Sequence, residues 1–402
     1  MVAPLAGIRV LEVANWLAGP SCAAILSDLG ADVVKVEPPA GDAYRHLLML
    51  AAGYEFEFDA CYGFELDNRG KRSVTLDLDK PEAQQVLLRL ATWADIVITN
   101  LVPERRERYG FSVDAVHAVH PRSIYASVTG YGSSGPDADR AGWDITSFWA
   151  RSGIMSVIGE PDAPPPGCRG GMGDHTTGLN LLAAILVALR LRDQTGEGQF
   201  VDVTLQQTGL WTLALDVQSA IISGEQPKRR SRSEPTNPIT NTYLCRDGRW
   251  IFIMMPTADY WPRFCSLLGR NDWIEDARFQ TPQGRRDHSR ELTAAIDQAF
   301  ASRDYADWAK TLDAARMIFA PVSAIPDAVA DPQLRAVGAF TTIEHPRLGS
   351  FETLDTPFTV RGAEIGVRGP APATGEHTFS VLEEIGIDPG DIAEYAALGV
   401  FG

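Results

Sequence analysis

Gly173-Asp174-His175-Thr176-Thr177-Gly178 runs directly into the apolar stretch Leu179 to Leu189, which puts a carboxylate at the mouth of a helix expected over about His175 to Arg192. Two kinds of chemistry suit that position. Asp is among the best acceptors for the free N–H groups of a first helical turn, so Asp174 can serve as a simple cap. The same field favours carboxylate over acid, so a group with an ordinary pKa of about 3.9 stays ionised and nucleophilic.

Other constellations carry less. Gly130-Tyr131-Gly132-Ser133-Ser134-Gly135 spells GxGxxG after an expected strand, but Pro136-Asp137-Ala138-Asp139-Arg140-Ala141-Gly142 follows instead of a helix. A dinucleotide site needs a helix N-terminus facing the pyrophosphate, so this reads as a glycine-rich active-site loop. His117 and His120 stand three apart with no carboxylate or cysteine cluster to complete a metal shell, so no metal site is expected. No GxSxG elbow supports serine hydrolysis. The basic runs Arg69-Gly70-Lys71-Arg72 and Arg105-Arg106-Glu107-Arg108 read first as solvated faces. Beside the strands of a doubly wound sheet, they also suit a polyphosphate.

The elements that must hold these residues alternate. Ile8 to Ala14 is β-rich, Pro20 opens an apolar helix closed by Gly30, and Val33 to Val36 is a second strand. Pro81 opens another helix, Asp95 to Thr99 is a strand, Val113 to Val119 a short helix and Ile124 to Val128 a strand. The fold class is α/β, a parallel sheet covered by helices on both faces. After the loop-like stretch 130–173 and the long helix, Gly196-Glu197-Gly198 turns into a strand from Gln199 to Leu205. The polar stretch from Gly224 to Pro235 reads as a linker. Beyond it, the turn Arg246-Asp247-Gly248 marks a hairpin, and helices over 259–269, 289–302 and 304–316 make a small α+β domain. The expected division is 1–225, 226–335, and a segment 336–402 that rejoins the first domain, with strand-like pieces from Phe351 to Val360 and a helix from about His377 to Ile385.

With a net charge of −16, the 402-residue chain lacks the basic surface that nucleic acid or an anionic membrane requires. Its five cysteines (Cys22, Cys61, Cys168, Cys245, Cys265) are odd in number and scattered, which fits a reducing, cytoplasmic compartment. The N-terminus shows no export signal, and Leu179 to Leu189 is short of the roughly 20 residues a bilayer crossing needs.

In their order along the chain, several segments resemble family III CoA-transferases, the group containing formyl-CoA transferase, carnitine CoA-transferase and α-methylacyl-CoA racemase. They are Leu5 to Glu12, Ala18-Gly19-Pro20, Asp28 to Glu37, Asn68 to Ser73, Gly130-Tyr131-Gly132, Gly173-Asp174, Thr195 to Gln199, Ala320-Pro321-Val322 and Gly375-Glu376-His377. The resemblance implies an interlocked homodimer of ring-shaped subunits, each with a Rossmann-like large domain built from both chain ends and a small α+β domain. It implies acyl-CoA and a carboxylic acid as substrates, no tightly bound cofactor, and Asp174 as nucleophile. Coenzyme A contacts would fall on Leu17 and Ala18, on Leu76 near the adenine, on Asn100 and Leu101 along the pantetheine, and on Arg108 at the phosphates. Pro38, Ala141 and the lack of a glycine run over 232–242 depart from formyl-CoA transferase and argue against formate or oxalate as the acyl group. Trp143-Asp144 stands where the racemase branch has His-Asp, and Leu244 where it has Glu, which removes the acid and base of racemisation. The competing readings are an acyl-CoA racemase or isomerase of the same fold and a CoA-binding protein without turnover. Trp143, Trp149 and Trp211 hint at a bulky apolar pocket.

Overall fold

The computed structural model describes residues 2–47 and 58–402. From the N-terminus the elements are β1 (Arg9–Val13), α1 (Ala18–Asp28), β2 (Asp32–Glu37), α2 (Tyr62–Asn68), β3 (Arg72–Thr75), α3 (Pro81–Trp93), β4 (Ile96–Thr99), α4 (Pro103–Arg108), α5 (Val113–Val119) and β5 (Ile124–Thr129). A wide π-type turn, Asp144–Arg151, and the short α6 (Ile154–Val157) lead to α7 (Met172–Thr195), β6 (Gln199–Thr204), α8 (Leu205–Thr212) and α9 (Ala214–Ser223). The stretch 130–173, expected as loop, thus contains helical turns. The sequence also gave no sign of α2 or β3, because both are short and neither has a clean apolar period.

Six strands form one parallel sheet in the order β3-β2-β1-β4-β5-β6. Alternate side chains enter two cores, as a pleated strand requires. Leu11, Val34, Val36, Val97 and Tyr125 pack with α3 and α5 on one face. Val10, Val33, Ile96, Ile98, Ala126 and Val128 pack with α1 and α7 on the other. The chain order reverses between β1 and β4, and in open α/β sheets the crevice past the strand ends at such a switch binds ligands.

α7 is 24 residues long, starting three residues before the expected position. By length and hydropathy it meets the test for a bilayer crossing that the shorter apolar run failed, yet Leu181, Leu182, Ile185, Ala188 and Leu189 are buried in the sheet core. It lies close against α1 at Gly178, where a Cβ would lie 2.3 Å from Ser21 Oγ and 3.0 Å from the Ala18 carbonyl oxygen. Only glycine lets the two backbones meet there.

The chain divides into two compact units. One runs through residue 154, resumes at Gly167–Gln218 and again at Ala336–Gly402; the other comprises Met155–Pro166 and Ser219–Arg335. The sequence-based boundaries were 225 and 335, and nothing in the sequence marked 155–166 as part of the second unit. That unit holds β7 (Thr240–Leu244), β8 (Trp250–Met254) and β9 (Phe319–Pro321) as an antiparallel sheet, with Gly248 at φ 80° in the hairpin turn. Its helices are α10 (Tyr260–Leu267), α11 (Pro282–Asp287), α12 (Ser289–Phe300), α13 (Tyr305–Ala314), α14 (Ile325–Val329) and α15 (Pro332–Ala336).

The tail adds β10 (Phe340–His345), β11 (Gly349–Leu354), α16 (Thr378–Glu384) and α17 (Pro389–Ala397). It finishes the first unit: Thr75 Oγ1 donates to the Phe401 carbonyl at 2.9 Å, and the Asp77 amide to that of Val400 at 2.8 Å. Val381, Leu382, Ile392, Val400 and Phe401 join the core under α3.

Candidate active site

α7 begins without a cap of its own. Gly171, at the position before its first turn, adopts φ 90°, open mainly to glycine, and has no side chain to offer the free amides. The acceptor comes from 27 residues away: Asp144, first residue of the π-type turn, takes the Gly171 amide on Oδ2 at 2.6 Å. The amides of Gly173 and Asp174 also favour this carboxylate, against the burial that raises its pKa. Gly173 is obligatory in this arrangement, since a Cβ there would sit 2.3 Å from Asp144 Oδ1 and 2.4 Å from Phe148 Cγ.

Asp174, third residue of α7, is therefore released from capping. Burial lifts its carboxyl to about 7, with the charges of Asp144 and Asp67 pushing the same way and His175 opposing. This reverses the expectation that the helix terminus keeps the group ionised far below neutrality. A helix end contributes about 0.3–1 kcal/mol. A displacement of roughly three pH units corresponds to about 4 kcal/mol, so burial and like charge win.

Asp174 faces a cavity of about 1040 Å³ built at the switch point. Asn15, Trp16, Leu17 and Ala18 line it after β1, Asn100, Leu101 and Val102 after β4, and Thr129 and Gly130 at the end of β5. Two of these loops are stapled together, because the Asn15 amide donates to Asn100 Oδ1 (3.2 Å) and Asn100 Nδ2 to the Asn15 carbonyl (2.7 Å). Trp16 is held at φ 67°, a left-handed conformation unusual for a bulky residue. Its amide donates to Asp42 Oδ2 at 3.2 Å, and its ring meets that of Trp143 edge-on at 4.8 Å.

Asp42 belongs to an ion network with no solvent-exposed side chain. Lys35 Nζ lies 2.8 Å from Glu12 Oε1 and 3.0 Å from Asp42 Oδ2, and Lys71 Nζ lies 2.6 Å from Glu12 Oε2. Burial pulls Lys71 down to about 8, whereas Glu12, Asp42 and Glu37 together hold Lys35 above its ordinary range in spite of burial. Lys71 and Arg69, which pairs with buried Asp28 at 2.7 Å, are thus neither a solvated face nor a phosphate patch. They fasten the sheet beneath the cavity.

Of the residues singled out from sequence, Asp174, Leu17, Ala18, Asn100 and Leu101 meet around this cavity. Leu76 and Arg108 do not. Leu76 is 1% exposed in the core shared with α3 and the tail, and Arg108 points outward to Asp79 at 2.6 Å. From the same short helix Arg105 lines the cavity, while Arg106 is buried and donates to the Leu101 carbonyl at 2.6 Å. A six-residue helix presents each neighbour in a different direction, which a run of arginines in sequence does not reveal. Trp143 and Ala141 line the cavity; Trp149 and Trp211 do not.

The Gly130–Gly135 loop is pinned from within. The Ser133 amide donates to Asp202 Oδ2 at 2.8 Å and that of Gly132 to Thr129 Oγ1 at 2.9 Å. These amides are engaged, which fits the absence of a following helix. His117 Nε2 lies 3.2 Å from the Ser123 carbonyl oxygen, and the described residues contain no cluster of three or more metal-ligating side chains.

Comparison with known proteins supplies an independent line. The model of CoA-transferase family III matches residues 5–378. The (R)-2-hydroxy-4-methylpentanoate CoA-transferase of Clostridioides difficile is 31% identical, with 96% of each chain covered. The succinate–glutarate CoA-transferase of Agrobacterium fabrum is 32% identical, covering 95% of this chain and 96% of the relative. A CAIB/BAIF family protein from Brucella suis, solved by crystallography, superposes with TM-score 0.84 at 32% identity, over 96% of this chain and 100% of that one.

Proposed function

This chain belongs to CoA-transferase family III, and from that premise we propose that it moves coenzyme A from an acyl-CoA thioester to a free carboxylate, with Asp174 as the covalent relay. The observation that carries the reading is the division of labour between two aspartates: Asp144 satisfies the helix start, so Asp174 faces the cavity as an uncommitted carboxyl group.

The steps balance without an external proton or energy source. A carboxylate oxygen of Asp174 attacks the thioester carbon, the C–S bond breaks, and the CoA thiolate leaves an aspartyl-acyl anhydride. The thiolate then attacks the aspartyl carbonyl, releasing the donor acid and leaving aspartyl-CoA. The acceptor carboxylate repeats these steps in reverse, and Asp174 is regenerated. One thioester is exchanged for another of similar energy, so no ATP is consumed. Binding along the nucleotide end of coenzyme A offsets the cost of the anhydride.

Leu17, Ala18, Asn100 and Leu101 are the proposed walls for the pantetheine arm, and Arg105, in place of Arg108, is the proposed phosphate contact. The Trp16–Trp143 corner beside Asp144 suits an apolar acyl group. The proposed assembly is the family's interlocked homodimer in a cytoplasmic setting. Supporting it, α7, α8 and the start of α9 leave Val187, Trp211 and Leu215 of the first unit between 69% and 90% exposed, large apolar side chains of the kind that an interface between copies covers.

The test is a panel of acyl-CoA donors against acceptor acids, read by mass spectrometry both for the new thioester and for a modified Asp174 peptide. Asp174→Ala should abolish both signals. Deuterium wash-in at the α-carbon of a 2-methylacyl-CoA without any acceptor acid would instead establish an isomerase.

A further inference from the structure

Beside Asp174 stands a pair that neither the family comparison nor the relay chemistry uses. His175 Nε2 lies 2.9 Å from Asp67 Oδ1, joining α7 to α2 across 108 residues of sequence. The Asp67 side chain is 3% exposed, and its second oxygen is buried without a hydrogen-bond partner among the described residues. A carboxylate so enclosed needs a cation, and His175 is the group that touches it. His175 also lines the cavity, next to Asp174 on the same helical turn.

We propose that this ion pair is the nucleophile's counter-charge: His175, fixed by Asp67, is a positioning residue that holds Asp174 as a carboxylate where its other neighbours favour the acid. The inference rests on the relay reading only for its consequence in turnover; the electrostatics stand without it. The groups facing Asp174 are Asp144 from the π-type turn, Asp67 from α2, the Tyr44 phenol and His175. Those facing His175 are Asp67 and Asp174, and Lys71 faces Asp67 from the sheet side. Arg105, Arg140 and Arg169 line the cavity, and Arg140 is paired with Asp137 at 3.4 Å. Burial works against the imidazolium, but the bond to Asp67 outweighs it, so His175 titrates above its ordinary value. The pair is net neutral as built. Removing only the imidazole leaves Asp67 near Asp174 without the cation that touches it.

The experiment follows carbodiimide labelling of Asp174, which consumes the protonated acid, by peptide mass spectrometry from pH 5 to 9, alongside kcat/KM for acyl-CoA. In H175Q both midpoints should move up by about one unit, which costs about fivefold in kcat/KM at pH 7 and little at pH 9. Adding D67N removes the stranded charge, so the double variant should move back toward the unmodified enzyme, and H175K should keep the original midpoint. Unmoved midpoints in H175Q, or a double variant no closer to the unmodified enzyme than the single one, overturn the proposal. Because labelling requires no turnover, a protein without transferase activity still decides it, and the relay fails separately if labelling behaves as expected while no transfer occurs. If H175Q does not fold, the histidine ring resonances of the full chain replace it. The His175 imidazolium should titrate above the ordinary histidine value and lower in D174N; a ring titrating at or below that ordinary value, or an unchanged titration in D174N, overturns the inference.

Discussion

Asp174→Asn should remove the relay and make the protein more stable. The substitution is nearly isosteric and deletes a charge that the fold opposes. Asp174 has an ordinary value of 3.8 and is raised to about 7 by burial, then by Asp144 and Asp67. For a carboxylate raised in the folded state, the unfolded chain releases its proton first. Stability therefore declines as pH climbs from about 4 to about 7 and stays low above that. At about 1.4 kcal/mol per unit, ionising this group costs the fold up to about 4 kcal/mol at pH 8; allowing for solvent at the cavity mouth, about 2 kcal/mol is the working figure. The asparagine variant should gain that amount at pH 8, about half of it near pH 5.5, and almost nothing near pH 4. Urea denaturation of both proteins at the three pH values measures it, with m-values compared to ensure that the same surface unfolds. A gain independent of pH, or a loss at pH 8, would refute the reasoning, since either would mean that the charge is not what the fold resists.

The same raised group gives the rate profile its sign. The nucleophile is the carboxylate, so kcat/KM should be full above about pH 8, half of that near pH 7, and fall tenfold per unit below pH 6, as pH-rate measurements with a donor acyl-CoA can show. Gly173→Ala should drive a methyl into Asp144 and Phe148, costing about 1–3 kcal/mol in thermal denaturation and most of the activity. Glu12→Gln leaves buried Lys71 without its carboxylate and Lys35 with Asp42 alone, and should cost about 3–5 kcal/mol by chemical denaturation, with no gain at any pH between 6 and 8. Arg105→Ala should raise KM for acyl-CoA roughly tenfold with kcat nearly unchanged, and Arg108→Ala should leave both alone, in steady-state assays.

Much of the sheet was legible because its signals are local. Pro81 at the first turn of α3, Gly30 past the end of α1 and the β-branched runs of β2 and β4 each state their role within a few residues. The chemistry at Asp174 was legible in residue and misread in electrostatics, because its deciding neighbours, Asp144 and Asp67, lie 30 and 107 positions earlier in the chain. The basic run at Arg69–Arg72 misled for a related reason: its partners, Asp28, Glu12 and Asp32, belong to other elements. Leu76 was placed on the adenine by resemblance, but its side chain enters the core that the C-terminal residues close. Trp16 at positive φ carries no mark in the sequence; its conformation is imposed by Asp42, itself fixed by Lys35.

The bonds from Thr75 and Asp77 to Phe401 and Val400 have a consequence for how this chain is made. The sheet edge at β3 waits for residues synthesised some 325 positions later, after the whole of the second unit. During translation Val74 and Leu76 stay without the cover that Val381, Val400 and Phe401 give them in the finished core. The first unit thus completes its fold only after the residues of the second unit have been made, and until then the nascent chain carries an open apolar edge that chaperones can engage. A bulky insertion beside Gly402, two residues past the Val400 contact, presses on that last step, whereas one placed on the solvent-facing tip at Gly248 leaves it untouched.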